Sequence, residues 1–164
     1  MAIDSRVALI MAKDVKTVGP ETPVEEVAKL LWENKISSLP VVEERKVIGM
    51  VTDFDLITRE TEYDAPMYIS LLEAYFHIPG TGDAKQLKKI LAISARDLMT
   101  SPAITVTPEM TVLEVATLMY DKRLNALPVT DLEGNLIGIV ARADIVRLMV
   151  ADEDLHERTH PEED

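Results

Sequence analysis

At 164 residues, 47% of them apolar and 28% charged, the chain is long enough to bury one good core, or two small lobes sharing one, and its composition is globular rather than disordered. A formal net charge of −12, with lysines and arginines scattered rather than striped, disfavours nucleic-acid binding but leaves room for a single small anion held by local dipoles and cations. The absence of cysteine excludes a disulfide framework and a thiolate zinc site, and the first residues lack the basic start and apolar run of a signal peptide, so the expectation is a soluble cytoplasmic protein with no membrane span.

The chain repeats itself. IMAKDVKTVGPETPVEEVAKLL, from Ile10, matches LMTSPAITVTPEMTVLEVATLM, from Leu98, without a gap. Further on, SLPVVEERKVIGMVTDFDLI meets ALPVTDLEGNLIGIVARADIV with one extra residue in the second copy, and Leu-Pro-Val, Ile-Gly and the final Asp coincide. Self-similarity on this scale marks two copies of one supersecondary unit.

Each copy reads as short strand, helix, strand, strand, helix. In the first, Thr22, Pro23 and Glu25 suggest a capping box with proline at the first helical position, and Val24, Val27, Ala28 and Leu31 recur at helical spacing. Trp32 beside them reads as core. Leu39 to Val42 and Val47 to Val51 read as strands joined by the polar turn Glu43 to Lys46, where the second copy has Gly134-Asn135. A helix starting near Asp53 or Arg142 closes each unit.

The stretch GMVTDFDL ends a strand on Thr52 and places Asp55 three positions later. One reading is a T-x-x-D capping box, in which both side chains serve the helix start. Another is a ligand site, since a helix N-terminus suits a phosphate and a carboxylate suits a sugar diol. In the second copy Ala141 replaces the threonine while Asp144 is retained, which makes capping alone a less complete explanation.

Between the copies, Met67 to Phe76 is apolar over most of a helical surface and has two open readings, packing on its own module or forming a subunit contact. The loop IPGTGD and a cationic helix of Lys85, Lys88 and Lys89 follow, and Ser94 with Asp97 caps the entry to the second copy. The expected divisions are a first repeat over 1–58, a helical insert over 59–96, a second repeat over 97–150 and an acidic tail over 151–164.

Three sharper-looking signals carry little. HERTH, His156 to His160, fits a zinc-protease pattern, but Pro161 and the nearby end of the sequence favour a solvated tail. GTGDAK lacks the Gly-Lys-Ser/Thr of a phosphate loop, and His77 has no nucleophile near it in sequence. Asp53 and Asp55 stand two apart, on different sides of a helix, which argues against a joint metal site.

The duplicated SLPV and ALPV strands, the GMVTDFD and GIVARAD turns, and the IMA and LMT starts together resemble a tandem pair of CBS domains, the Bateman module. The resemblance implies an α/β (α+β) fold of two pseudo-symmetric repeats, each a small, mostly antiparallel sheet with two helices. It further implies a stand-alone, non-enzymatic regulatory module that binds AMP, ADP, ATP or S-adenosylmethionine between the repeats and signals to an effector protein. Members of the family usually pair as homodimers through rim helices. Carried over residue by residue, Thr52 and Asp55 are expected to face Thr100, Ala103, Ile104 and Asn125, and Asp144 to face Ala12, Val15, Lys16 and Ser37, with Arg142 as a cation near the second cleft. By that matching the first cleft keeps more polar contacts. The alternative is a scaffold whose clefts have lost their ligand.

Overall fold

The computed structural model describes residues 2–62 and 94–159. The expectations for Met67 to Phe76, IPGTGD, His77, Lys85 to Lys89 and His160 lie outside the described residues. Two 3-10 turns, Ala2–Asp4 and Val7–Leu9, precede α1 (Val24–Asn34), β1 (Ser38–Glu43), β2 (Lys46–Thr52) and α2 (Asp53–Glu62). After the insert come α3 (Ala95–Leu98), α4 (Val112–Lys122), β3 (Ala126–Thr130), β4 (Leu136–Ala141) and α5 (Arg142–Thr159). The helix α5 runs through residues 151–159, a stretch read from sequence as the start of the tail.

Each repeat holds an antiparallel hairpin, β1 with β2 and β3 with β4. Apolar alternation and the β-branched content of SLPVVE and KVIGMVT place Leu39, Val41 and Val51 at zero exposure in one core, and Leu127, Val129 and Val140 occupy the equivalent places in the other. The first turn puts Glu44 at φ 48° and Arg45 at φ 72°, the left-handed pair that suits a two-residue hairpin. The short strand expected before each first helix is reduced to one parallel bridge, Val18 to Val41 and Val106 to Val129.

Two local expectations are corrected. The N-cap of α1 is Pro23, whose carbonyl accepts from the amides of Glu26 and Val27, while the Thr22 hydroxyl accepts from the Gly19 amide at 3.0 Å. The box therefore fails in the first copy, because the position that Thr111 fills in the second is a proline with no side-chain acceptor. At α4 the box is complete: the Glu114 amide donates to Thr111 Oγ1 at 3.2 Å, and the Thr111 amide donates to the Glu114 carboxylate at 2.7 Å. The backbone amide of Thr111, and then its hydroxyl, hold the Glu114 carboxyl below its ordinary value. The second correction is Trp32, which is 84% exposed. Val27 and Leu31, four apart, already fill the inward face of α1, and Trp32 lies about 100° around the helix from Leu31.

The repeats exchange segments. Residues 5–12 leave their own repeat and lie on the second one: Arg6 bridges Thr111, Val7 is fully buried in the second core, and Ala12 pairs antiparallel with Ile139 through two 2.9 Å hydrogen bonds. Residues 94–100 do the same in reverse, with Ala95 and Leu98 in the first core and Thr100 paired with Met50. The exchange needs two glycines. A Cβ on Gly49 would lie 2.5 Å from Met99 Sδ and 3.0 Å from its Cβ, and one on Gly138 would lie 2.7 Å from Met11 Sδ and 3.1 Å from the Ala12 carbonyl. Gly49→Ala must push back the base of the Met99 side chain, so its urea unfolding midpoint is expected to fall by the equivalent of about 1–3 kcal/mol, with part recovered in a Gly49→Ala, Met99→Ala double variant.

Candidate functional site

At the end of β2 the chain turns directly into α2. The Thr52 amide donates to Asp55 Oδ2 at 2.8 Å, and the Asp55 amide donates to Thr52 Oγ1 at 3.2 Å, so the capping reading of GMVTDFDL is present in full. Oδ1 of Asp55 has no hydrogen-bond partner among the described residues. The aspartate is half-buried, and one of its two oxygens serves the fold while the other is available to a ligand.

The equivalent turn of the second repeat differs in two ways. Asp144 still caps, since the Ala141 amide donates to its Oδ2 at 2.8 Å, so its retention without a threonine is explained locally. Its Oδ1 is taken by Arg147 Nη1 at 3.2 Å, an exposed i,i+3 pair. Arg147 is absent from the residues singled out in the sequence, although the spacing from Asp144 was the available signal.

Segment exchange decides what lies beside each turn. Thr100, bridged to Met50, runs alongside β2 two residues before Thr52, and Ala12, bridged to Ile139, runs alongside β4 two residues before Ala141. Thr100, Ile104, Ala12 and Lys16 are exposed, and Ala103 and Val15 are half-buried. Ser37 and Asn125 are tied to the turns of their own repeats: the Ser37 carbonyl accepts from the Asp53 amide at 2.9 Å and the Asn125 carbonyl from the Arg142 amide at 3.0 Å. The Arg142 guanidinium also donates to Asn125 Oδ1. The strand leading into each turn is thus flanked by a segment belonging to the other repeat, and beyond Thr100 that segment runs back along β2, where Ser101 Oγ donates to the Ile48 carbonyl.

A separate apolar groove of about 670 Å³ runs between α1 and α2, lined by Ala28, Leu31, Trp32, Ile36, Leu56 and Ile57, with Asp53 at its edge. It includes none of the residues expected in the clefts. Among the described residues no group of His, Cys, Asp and Glu is disposed to hold a metal ion, and no helix is long and apolar enough to cross a membrane.

These features define a class of protein: a two-repeat module in which each repeat lends its leading segment to the other. The family model for the CBS domain matches residues 7–62 and 95–151, and the chain belongs to that family. It is 30% identical over 150 residues to protein MJ1426 of Methanocaldococcus jannaschii, covering 86% of this chain and 89% of that one. It is 33% identical over 142 residues to the chloroplastic CBS domain-containing protein CBSX1 of Arabidopsis thaliana, covering 82% of this chain and 59% of the relative. An inosine-5′-monophosphate dehydrogenase of Korarchaeum cryptofilum matches at 33% over 140 residues, 85% of this chain but 23% of the dehydrogenase. Among solved structures, CBSX2 of Arabidopsis thaliana in complex with AMP superposes with a TM-score of 0.69 at 27% identity, over 90% of this chain and 98% of that one. The CBS domain pair of protein MJ0100, in complex with 5′-methylthioadenosine and S-adenosyl-L-methionine, superposes with a TM-score of 0.66 at 26% identity, over 90% and 98% of the two chains.

The capping difference between the turns is directly measurable. Thr52→Ala is expected to cost about 1 kcal/mol, and Ala141→Thr to add a comparable increment if the new hydroxyl accepts from the Asp144 amide. Thermal melts check both, with opposite shifts of roughly 2–4 °C.

Proposed function

We propose that the chain is a regulatory module that binds an adenosine-containing ligand at the two turns and passes occupancy to an effector protein. The observation that carries this reading is that Oδ1 of Asp55, at a helix start near a segment from the other repeat, has no hydrogen-bond partner among the described residues. That arrangement offers a carboxylate to a ribose diol, first-turn amides to a phosphate, and a crossing segment to flank the base. Two proteins similar in fold and sequence, CBSX2 and the MJ0100 pair, carry adenosine compounds. In this reading Thr52 and Asp55 act with Thr100 and with Ser37 of their own repeat, and Asp144 and Arg142 act with Ala12 and with Asn125 of theirs; Ser37 and Asn125 thus change places relative to the expectation from sequence, because the Asp53 amide is bonded to the Ser37 carbonyl and Arg142 to Asn125.

Ribose binding is stronger at the first cleft, because Asp144 already shares its second oxygen with Arg147. The loss of a hydroxyl at Ala141 also favours a second reading, a scaffold with no ligand at that turn. A thermal-shift panel of adenosine compounds separates the two, since only a ligand that binds the folded state raises the melting temperature. Asp55→Asn, which keeps shape and an acceptor but removes the charge, is expected to weaken binding of AMP or ATP about tenfold by calorimetry. An unchanged affinity in Asp55→Asn, with Asp144→Asn abolishing binding, reverses the order of the clefts.

We also propose a homodimer. Trp32 on α1 and Tyr120 on α4 occupy equivalent positions and are each 84% exposed, and Phe54, Ile57, Val146 and Met149 extend the apolar surface on α2 and α5. Light scattering is expected to give a dimer at micromolar concentration, and Trp32→Glu to shift it towards monomer while leaving each repeat folded.

A further inference from the structure

The contact that joins the repeats uses the same side chain twice. Met11, in the IMA start, and Met99, in the LMT start, stand at equivalent places in the two copies, and Met99 packs on the first core while Met11 packs on the second. Each is the knob by which a leading segment grips the opposite repeat. A Cβ on Gly49 would lie 2.5 Å from Met99 Sδ, and one on Gly138 would lie 2.7 Å from Met11 Sδ, so both sulfurs fill space that a glycine leaves open. The next residue along makes the bridge, Ala12 to Ile139 and Thr100 to Met50.

Thioether chemistry makes this placement consequential. The chain has no cysteine, which leaves methionine as the side chain open to reversible two-electron oxidation. Met50 and Met119 are buried, at 9% and 4% exposure, and Met149 is 52% exposed on α5. Met11 and Met99 are half-buried: a small oxidant reaches them, yet most of their surface is packed. A sulfoxide turns the apolar knob into a larger, polar one. The Ala12 carbonyl, 3.1 Å from the Cβ position on Gly138, is itself an acceptor and cannot donate to the new oxygen.

We infer that Met11 and Met99 make the exchange between repeats sensitive to peroxide, so that oxidation loosens the strands leading into both helix-start turns. The thioether sulfur attacks one peroxide oxygen: an S–O bond forms, the O–O bond breaks, and the proton of the transferred oxygen passes to the departing hydroxide to give water. Sulfur loses two electrons and the peroxide gains them. The sulfoxide no longer fits against the glycine, and the adjoining bridge opens with it. Since the two methionines hold opposite repeats, both turns respond together, whatever ligand they take.

The test treats the full chain with graded hydrogen peroxide, maps sulfoxides by mass spectrometry of proteolytic peptides, and follows thermal melts and amide hydrogen exchange. Once Met11 and Met99 are oxidised, the melting temperature is expected to fall by about 5 °C or more, in line with two polar groups forced into packed contacts. The bridge amides of Ala12, Ile139, Met50 and Thr100 are expected to exchange faster over the same dose range. Methionine sulfoxide reductase is expected to reverse both changes. The double variant Met11→Leu, Met99→Leu keeps apolar side chains at both places, and its melt is expected to hold steady at doses that oxidise Met149 and the half-buried Met110. An equal fall in that variant assigns the damage to other methionines and overturns the inference. Unchanged melt and exchange in wild type carrying both sulfoxides overturns it too, without recourse to the variant, as does survival of both thioethers after Met149 is fully oxidised.

Discussion

The exchange of leading segments is the constraint on which the rest of this molecule depends. Neither hairpin is a complete layer by itself, since two strands rarely hold a stable sheet in water. Each is extended on one side by a single bridge from its own chain and on the other by the partner repeat's segment, through Ala12 on Ile139 and Thr100 on Met50. The cores obey the same rule. Val7 belongs to the second core, and Ala95 and Leu98 belong to the first. Gly49 and Gly138 leave the space into which Met99 and Met11 fit, so the glycines of the Ile-Gly pairs serve close packing between repeats rather than a turn. The two hairpin ends also meet, with Leu136 donating to the Arg45 carbonyl at 3.0 Å and Lys46 Nζ donating to the Glu133 carbonyl at 2.6 Å. Separation of the repeats would open both cores at once.

Within that frame each helix-start aspartate has two oxygens with different obligations. Oδ2 caps the helix in both repeats, at the same 2.8 Å from the amide three residues back. The structural requirement is therefore met equally by Asp55 and Asp144, and the turns differ in the second oxygen and in the residues around it. Arg147 occupies it in one repeat. The two repeats share one plan, and at these turns they differ by Thr52 against Ala141 and Asp53 against Arg142. Because these differences lie at the first helical turn, on half-buried or exposed residues, they leave the buried layers unaltered.

The outer surface follows a different logic from the clefts. On α1 and α4 the inward face needs only two or three apolar positions per turn pair, so Trp32 and Tyr120 are surplus to the core and lie outside it. On the first repeat, Trp32 and Ile57 line the groove of about 670 Å³ between α1 and α2.

Local sequence determined most of what is local. The helical spacing of Val27 and Leu31, the alternation through Leu39 and Val41, the hairpin turn at Glu44-Arg45 and the T-x-x-D box at Thr52 each rest on interactions within a few residues, and all are present in the structure. The repeat itself was legible because two copies of one pattern must build the same unit. Periodicity misplaced Trp32, since a helical apolar residue at the border of the inward face is decided by how much core there is to fill, not by its own pattern. The box at Thr22 failed because alignment within the repeat, which puts Pro23 at the cap, outranks the nearest hydroxyl. What only the tertiary structure decided is which repeat each leading segment serves, and hence that Thr100 lies beside the turn of Thr52 and Ala12 beside that of Ala141. Those bridges span contacts between residues far apart in sequence, and no local preference of IMA or LMT distinguishes pairing within a repeat from pairing across it.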